Sequence, residues 1–384
     1  MTADNPADQA RNVDGIRTKP LAGRIASLDA LRGFDMFWII GGDAICRTLP
    51  AIRDTPLTRL LARQVEHMPW AGFTFYDVIF PLFLFIIGAV MPFSLLKRLE
   101  QGESKKRLYL HIIRRACLLI LLGLVAGGVL ELDFANMRWM GVLQRIGLCY
   151  LLVSVLVINT KWRTQAGIFV GVLLLYWAAL ALVPVPHFGA GNMTPAGSLH
   201  TYIDQKVLPG KFPAEFYGPG DSLGVISTLP AACSLLLGVF AGYWLKSKRS
   251  GNKKTIGLAV GGILCLGLGY LWSGPFPIIK HIWTSSYVLW AGGWCLILMA
   301  LFYWIIDVKG RGKWAFFFVV IGTNAILVYF GQQVVDFDKI AAFFFSGVAR
   351  HAAAAGPVIL PLGALAAKWL GLRLLYQRKI FFKV

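Results

Sequence analysis

Ten apolar segments in succession constrain this chain more than any other feature of its sequence. Most are long enough for the roughly 20 residues that a helix needs to cross a bilayer. Hydrophobic residues make up 57% of the chain and charged residues only 15%, with a mean hydropathy of +0.63, whereas a soluble domain carries about 25% charged residues. The sequence therefore predicts an all-α, polytopic transmembrane helix bundle of about ten spans. The segments lie at about 28–46, 73–96, 112–130, 140–159, 166–185, 222–245, 255–273, 284–306, 314–333 and 353–375.

Basic residues are distributed unevenly between the two sides of this bundle. The chain has 38 Lys+Arg against 19 Asp+Glu, a net charge of +19. With the N-terminus inside, 26 of the 38 fall in the cytoplasmic pieces and 10 in the opposite ones, while Arg145 and Lys368 lie within spans. This bias fits the positive-inside rule and predicts that both termini are cytoplasmic. Because topology and anionic lipid account for the excess, we expect no nucleic-acid binding.

The chain divides into a cytoplasmic N-terminal tail at 1–27, a transmembrane domain at 28–375 and a cytoplasmic C-terminal tail at 376–384. Residues 1–33 have no apolar core followed by a small-residue cleavage site, so we expect no cleavable signal peptide there. The longest connection, 186–221, is rich in Gly and Pro and is predicted on the outer side. Loops of that length are usually either functional or disordered.

Sequence motifs for metal and nucleotide chemistry are absent. The six cysteines form no CxxC, and the six histidines form no HxxxH or HExxH. There is no Walker A motif. We therefore expect no metal site, and the candidate chemistry must come from polar residues placed in or beside the spans.

The first span carries four ionisable residues in SLDALRGFDMFWIIGGDAIC: Asp29, Arg32, Asp35 and Asp43. Each charge at the centre of a membrane helix costs about 2.5–3.5 kcal/mol on insertion scales, so such residues mark functional pathways. At 100° per residue the four fall within an arc of about 120°, which predicts one polar stripe facing the bundle interior. A local ion pair between Asp29 and Arg32 near the cytoplasmic surface is the alternative interpretation of those two residues.

A histidine lies on the outer side, in RQVEHMPWAGFTFYDVIFPLF. His67 can exchange a proton near neutral pH, and either Asp43 or Asp77 could orient its ring and stabilise its charged form. A solvated loop histidine is the alternative. Two acidic residues on adjoining helices favour the functional interpretation.

Further polar residues gather at the outer ends of later spans and are predicted to bind substrate. The alternative for Asn324 and Ser286 is interhelical hydrogen bonding with aromatic anchoring at the membrane surface. A buried guanidinium needs an anion, which favours a functional role for Arg145. The set comprises Arg138, Gln144, Arg145, Lys280, Trp283, Ser286, Tyr287 and Asn324.

Six blocks in this order, from about Ser27 to Gln332, resemble heparan-alpha-glucosaminide N-acetyltransferase and its bacterial relatives. Each block is weak alone, but six in order are specific. They read SLDALRGFDMFWIIGGD, HMPWAGFTFYDVIFPLFLFIIG, MGVLQRIG, IWTSSYV, IIDVKG and TNAILVYFGQ.

The resemblance implies transfer of acetyl from cytosolic acetyl-CoA to the amine of a glucosamine unit across the membrane. It implies that His67 is the essential histidine and that Asp77 is the aspartate ten residues later. Asp43 departs from the lysosomal enzyme, which has an asparagine in that motif. Bacterial members of the family are inner-membrane proteins linked to amino-sugar use, so the same location is expected here.

We expect His67 to act as general base, Asp43 to orient it, and Asp77 or Asn324 to position the acceptor. The charged stripe and Arg138 with Arg145 would line a channel for the pantetheine arm of acetyl-CoA. Basic residues at the inner mouth would hold the nucleotide phosphates; they are Arg32, Arg114 and Arg115.

Several alternatives stay open. His67 could itself be acetylated. The chain could be a glucosamine or N-acetylglucosamine permease without chemistry, since polar intramembrane residues mark transport pathways equally well. An acyltransferase acting on cell-envelope glycans would keep the chemistry and change the acceptor. The assembly is also open, and a homodimer is one state to test.

Overall fold

The computed structural model of the protein describes residues 25–213, 216 and 218–382. Within these residues the regular structure is helical, and the only extended pairings are three isolated bridges between loop residues. The predicted all-α class is confirmed. The predicted N-terminal tail at 1–27 lies almost entirely outside the described residues.

Sixteen α-helices succeed one another in the described part of the chain, with π-helical turns at Trp38–Gly42 and Trp304–Val308. Short 3₁₀ turns lie at Phe75–Val78, Met91–Phe93, Val129–Glu131, Lys313–Ala315 and Ala353–Ala355. The helices are α1 Ala26–Phe37, α2 Asp43–Ile52, α3 Pro56–Gln64, α4 Ile79–Val90, α5 Leu95–Glu100, α6 Lys105–Ala126, α7 Val142–Asn159, α8 Trp162–Leu182, α9 Leu199–Val207, α10 Thr228–Lys246, α11 Gly251–Trp272, α12 Ser285–Tyr303, α13 Phe316–Thr323, α14 Ala325–Val334, α15 Phe337–His351 and α16 Gly356–Gln377.

Eight helical stretches in the described residues are long and apolar enough to cross a membrane, and α13 with α14 forms a ninth if this pair, bent by 59°, is one span. They match nine of the ten predicted segments. The exception is the first segment, which is helical but too rich in charge to count by length and composition. A polytopic helical bundle is therefore supported.

The first segment is not one continuous α-helix. The π-helical turn at Trp38–Gly42 separates α1 from α2, and Gly41 adopts φ 141°, a conformation that favours glycine. A π turn holds one extra residue, so α2 is rotated by about 100° relative to its place in a continuous α-helix. The predicted 120° stripe, which assumed a continuous helix, therefore does not extend to Asp43.

Close backbone contacts hold the centre of the bundle together. Gly88 of α4 packs against the carbonyl of Leu235 in α10, and Gly238 of α10 packs against the carbonyl of Phe85 in α4. A Cβ atom at either glycine would lie 1.9 Å from that oxygen. Small residues let membrane helices approach closely without a hydrophobic driving force. The α4–α10 pair thus forms a fixed wall beside α1 and α12.

Four loops meet at one end of the bundle. The Trp70 Nε1–H donates to the carbonyl of Met193 at 2.8 Å, and the Gly72 N–H donates to the carbonyl of Ile278 at 2.9 Å. A bridge joins Arg138 to Gly210. These contacts bring together the loops around 65–74, 131–141, 183–227 and 273–284, which the basic-residue count predicts to lie on the outer side.

Candidate active site

His67 lies in the loop between α3 and the 3₁₀ turn Phe75–Val78, and a capping box shapes this loop. The Asp77 Oδ2 atom accepts from the backbone N–H of Thr74 and from its hydroxyl, both at 3.1 Å. Such a reciprocal cap satisfies donors that would be unpaired at the start of a helix. Asp77 is therefore fixed by local structure, and its second oxygen is left to contact another group.

That second oxygen contacts His67. The Nδ1–H of His67 donates to Asp77 Oδ1 at 2.9 Å, an arrangement that leaves Nε2 with the lone pair. Asp77 is fully buried, whereas the His67 side chain is 46% exposed. A half-exposed imidazole oriented by a buried carboxylate is the arrangement expected of a general base.

Lys280 completes the cluster from the loop before α12. Its Nζ atom lies 3.2 Å from Asp77 Oδ1, 2.7 Å from His67 Nδ1 and 3.1 Å from His67 Nε2. The ammonium therefore sits at the edge of the imidazole ring, between the histidine and its aspartate. The sequence predicted Lys280 as a binding residue, and the structure brings it to His67.

The electrostatics of this cluster favour a neutral imidazole. Packing around the ring lowers the pKa of His67, and Lys280 and Arg47 act in the same direction, against the opposing effect of Asp77. Burial likewise lowers the pKa of Lys280, which Asp77 partly offsets. A neutral His67 can accept a proton at pH values where an ordinary histidine would already be charged.

Asp43 does not touch His67, contrary to the predicted pairing. It forms an ion pair with Arg47 and accepts from the Tyr76 hydroxyl at 3.2 Å. The Tyr76 ring lies against the imidazole, with 4.7 Å between ring centroids. The Tyr76 ring therefore lies between Asp43 and His67. The π-helical turn redirects α2 and so keeps Asp43 from the imidazole, and Asp77 orients His67 instead.

Three predicted binding residues support the cluster from within the protein. The Tyr287 hydroxyl donates to the backbone carbonyl of Asp77 at 2.7 Å, and the Ser286 hydroxyl donates to Pro277 at 3.1 Å. The indole N–H of Trp283 donates to Ser234 at 3.1 Å. All three side chains are buried. They hold the backbone around Asp77 and Lys280 in place and do not themselves face a ligand beside His67.

Arg138 and Arg145 hold the long outer loop. Arg138 forms a bidentate pair with Asp221, at 2.9 and 2.6 Å. Arg145 is fully buried and donates to the carbonyls of Ser222 and Gly224, at 3.3 and 2.9 Å, and to the Ser227 hydroxyl. The anion predicted to accompany Arg145 is replaced by carbonyl oxygens and by the Trp283 ring, 5.2 Å away.

The remaining predicted residues lie apart from His67. Gln144 is buried and donates to the carbonyl of Trp139 at 3.3 Å. Asp29 and Arg32 form the local ion pair given as the alternative, at 3.4 Å. Asn324, between α13 and α14, bonds the C-terminal segment through Ile380 and Phe382 at 3.0 and 2.8 Å. None of these contacts brings Gln144, Asp29 or Asn324 to the imidazole.

A buried polar network in the outer loop was not predicted. His200 Nε2 lies 3.0 Å from the Ser227 hydroxyl, and His200 Nδ1 lies 3.5 Å from Asp204 Oδ2. Burial lowers the pKa of His200 to about 3 and raises that of Asp204 to about 7. The His-x-x-x-Asp spacing on α9 was the available signal, since residues four apart share a helix face.

Asp35 is the most isolated polar group near the centre of the first segment. It is fully buried, and within the described residues neither of its carboxylate oxygens has a hydrogen-bond partner. The buried indole nitrogen of Trp38, one turn further on, also has none there. Buried polar groups are nearly always satisfied, so these two side chains are candidates to bind a ligand.

The described residues contain no group of three or more His, Cys, Asp or Glu side chains that could hold a metal ion. The chemistry that this cluster itself offers is proton transfer at His67, assisted by the charges of Asp77 and Lys280.

Comparison with known proteins supports the resemblance that the six blocks indicated. In an alignment of 329 positions, the chain is 28% identical to human heparan-alpha-glucosaminide N-acetyltransferase, and the alignment covers 71% of this chain and 49% of the human protein. The mouse enzyme of the same name matches to the same extent. This chain is similar to heparan-alpha-glucosaminide N-acetyltransferase. Residues 24–193 also match a family model described as a domain of unknown function, DUF5009.

The chain spans about half the length of these N-acetyltransferases. The aligned extent is nevertheless most of this chain, and the DUF5009 match covers α1 through α8, including both His67 and Asp77.

Proposed function

We propose that the protein is a multi-pass membrane N-acetyltransferase. It moves acetyl from cytosolic acetyl-CoA to the amine of glucosamine, or of a terminal glucosamine unit, on the outer side of the membrane. The observation that carries this proposal is the bond between His67 and Asp77, with Lys280 beside the ring. The similarity to heparan-alpha-glucosaminide N-acetyltransferase supports the same chemistry.

In the proposed reaction His67 removes one proton from the acceptor amine as its nitrogen attacks the thioester carbonyl carbon. The C–S bond breaks, its electron pair goes to sulfur, and the thiolate takes the proton back from His67 as free CoA thiol. The product on the acceptor is an amide. Proton transfer of this kind contributes about 10²–10⁴-fold in rate. Asp77 holds the ring with the lone pair on Nε2, where the acceptor amine must replace the Lys280 ammonium that lies 3.1 Å away. Burial and the charge of Lys280 both lower the pKa of His67 and so favour the uncharged ring.

In this proposal the donor reaches His67 from the opposite end of the bundle, because the positive-inside count predicts that His67 lies outside. Asp35 and Trp38 lie on α1 and at the start of the π-helical turn, with unpaired buried polar atoms among the described residues. Their carboxylate and indole N–H would pair with the amide groups of a pantetheine arm. At the cytoplasmic mouth, Arg32, Arg114 and Arg115 are the basic residues suited to the nucleotide phosphates.

The location that we propose is a bacterial inner membrane, with the acceptor delivered from outside. The eight or nine candidate spans of the described chain fit a multi-pass protein. A homodimer is compatible with this proposal and is tested by measuring the mass of the purified protein in detergent.

The proposal is tested with purified protein in detergent, comparing the wild type with His67→Ala. Acetyl-CoA is added with and without glucosamine, and free CoA thiol is followed together with N-acetylglucosamine. Glucosamine-dependent thiol release that is lost in the variant is expected. His351→Ala is the matched control, since His351 is exposed on α15 and bonds its own helix at Gly347.

Other outcomes separate the alternatives. An acetyl group trapped on His67 without acceptor would replace the general-base mechanism by an acetyl-enzyme mechanism. Thiol release without acetylated sugar would mean a different acceptor. Uptake of labelled sugar into vesicles without thiol release would overturn the enzyme proposal in favour of a permease.

A further inference from the structure

Lys280 brings an amine of the protein itself to the base of the proposed reaction. Its Nζ atom lies 2.7 Å from His67 Nδ1 and 3.1 Å from His67 Nε2, the ring atom that has the lone pair. The acceptor amine must approach the same lone pair. The Lys280 side chain is 14% exposed, so it is neither free in solvent nor sealed inside the protein. An amine is therefore in place beside the base before any substrate arrives.

Two contacts hold the backbone around Lys280 against the loop that follows α3. The Gly72 N–H donates to the carbonyl of Ile278 at 2.9 Å, and the His281 Nε2–H donates to the carbonyl of Met68 at 3.2 Å. These contacts lie on either side of Lys280 in the sequence, so the loop cannot move away without breaking both. Groups held together in this way react as if at a very high local concentration, because no entropy has to be lost to bring them together.

The surroundings of Lys280 also favour a neutral amine. Burial lowers the pKa of Lys280, and the attraction of Asp77 offsets only part of this effect. A neutral amine has the nitrogen lone pair that nucleophilic attack requires, and desolvation is one way in which proteins activate a lysine. His67 is close enough to take the next proton as the nitrogen attacks. Lys280 thus has the two properties that an acceptor amine needs, a reactive nitrogen and an adjacent base.

We propose that Lys280 is a second acceptor of acetyl, modified by the enzyme itself when no sugar amine is bound. The inference rests on the proposed function, because the acetyl group comes from the same acetyl-CoA. The Lys280 nitrogen attacks the thioester carbonyl carbon, a C–N bond forms, and the C–S bond breaks with its electron pair on sulfur. The proton of the nitrogen passes to His67 and then to the thiolate. The products are an acetylated Lys280 and free CoA thiol.

Acetylation of Lys280 should inactivate the enzyme. The resulting amide is neutral, so it no longer lowers the pKa of His67 as the ammonium does. The acetyl group also stays in the space that the acceptor amine must enter. An amide, unlike an acetyl-imidazole at His67, does not pass its acetyl group on to a sugar. The modified protein is therefore a resting form, made when donor is abundant and acceptor is scarce.

The test incubates the wild type in detergent with acetyl-CoA, with and without excess glucosamine, and follows each lysine by peptide mass spectrometry. Without sugar, Lys280 should be acetylated about tenfold faster or more than Lys211, an exposed lysine of the long outer loop that serves as the control. Glucosamine should slow the reaction at Lys280 and leave Lys211 unchanged. Sugar acetylation by the preincubated protein should fall in proportion to the modified fraction of Lys280.

Two further measurements identify the chemistry. His67→Ala should lower the rate of acetylation at Lys280 by about 10²-fold, the contribution of a general base, with no change at Lys211. Hydroxylamine cleaves an acetyl-imidazole but not an acetylated lysine, so the label should survive this treatment.

The outcomes separate this inference from the proposed function. Equal rates at Lys280 and Lys211 would mean uncatalysed acetylation and would overturn the inference. If glucosamine is acetylated but Lys280 is never modified, or is modified equally fast with the sugar present, the inference fails and the proposed function stands. Acetylation of Lys280 without acetylated sugar would support the inference and count against glucosamine as the acceptor. If neither is acetylated, both fail. Full activity of protein with modified Lys280 would overturn the inactivation.

Discussion

His67 and Asp77 are joined by a hydrogen bond of 2.9 Å in which one partner is half-exposed and the other fully buried. The buried carboxylate is also the cap of its own helix, so its position does not depend on the histidine. The exposed partner can therefore exchange protons with a substrate while its orientation is set from inside the protein.

Asp77→Asn should lower kcat/KM for acetyl transfer by about 10²-fold or more, because an amide no longer selects the tautomer that has the lone pair on Nε2. Asp43→Asn should cost much less, since Asp43 contacts Tyr76 and Arg47 instead of the imidazole. Steady-state kinetics on the two variants check this order. The reverse order would restore Asp43 as the orienting residue.

Lys280→Met should move the acid limb of the kcat/KM profile to higher pH. The ammonium lowers the pKa of His67, so its removal raises that pKa and protonates the base at pH values where the wild type is still active. Lys211→Met, on the same side of the protein, should leave the limb unchanged. A limb that stays in place in Lys280→Met would show that the ammonium does not act on His67.

Asp35→Val should stabilise the protein and weaken catalysis. Removing a buried carboxyl that has no partner among the described residues should raise the free energy of unfolding by about 1–3 kcal/mol. It should also raise the KM for acetyl-CoA, because the pantetheine amide loses its acceptor. Thermal unfolding in detergent and donor titrations measure the two effects. A lower melting temperature would mean that Asp35 has a structural partner.

The pair of His200 and Asp204 makes opposite contributions to the pH dependence of stability. Folding raises the pKa of Asp204 from 3.8 to about 7, so stability falls as pH rises through that window. Folding lowers the pKa of His200 from 6.5 to about 3, so stability falls as pH falls through that window. Between about pH 4 and 6.5 these two effects on the free energy of unfolding nearly cancel. The folded protein holds one proton, on Asp204, and the unfolded chain also holds one, on His200.

Asp204→Asn removes the pH dependence of stability that Asp204 contributes and leaves the one that His200 contributes. The variant should lose stability relative to the wild type as pH falls from 6.5 towards about 4. Melting temperatures measured across this range in detergent provide the check. Parallel profiles for the two proteins would contradict the assigned protonation states.

The class of fold and nine of the ten predicted spans could be predicted from the sequence, because an apolar run of about 20 residues has the length that a helix needs to cross a bilayer. The proximity of Asp77 and Lys280 to His67 was only partly predictable. Asp77 lies ten residues after His67, whereas Lys280 is separated by 213 positions and reaches it through a loop contact between Gly72 and Ile278.

The role of Asp43 could not be predicted, because a π-helical turn leaves no clear mark on the hydrophobic pattern. The two glycines at 41 and 42 were visible, but a helical wheel assigns them the ordinary rotation. Arg145 was predicted to need an anion, and the structure supplies carbonyl groups of a distant loop. Tertiary contacts of this kind have no local signature.

Asp307 accepts from the backbone N–H groups of Ala26 and Ser27, at 3.2 and 3.1 Å, and so caps the first helix from 280 residues further along the chain. During synthesis the most highly charged segment emerges first, and the residue that completes its start emerges near the end. The start of α1 therefore acquires this cap only after α12 has been synthesised. The first helix to be synthesised is in this respect completed by one of the last parts of the chain.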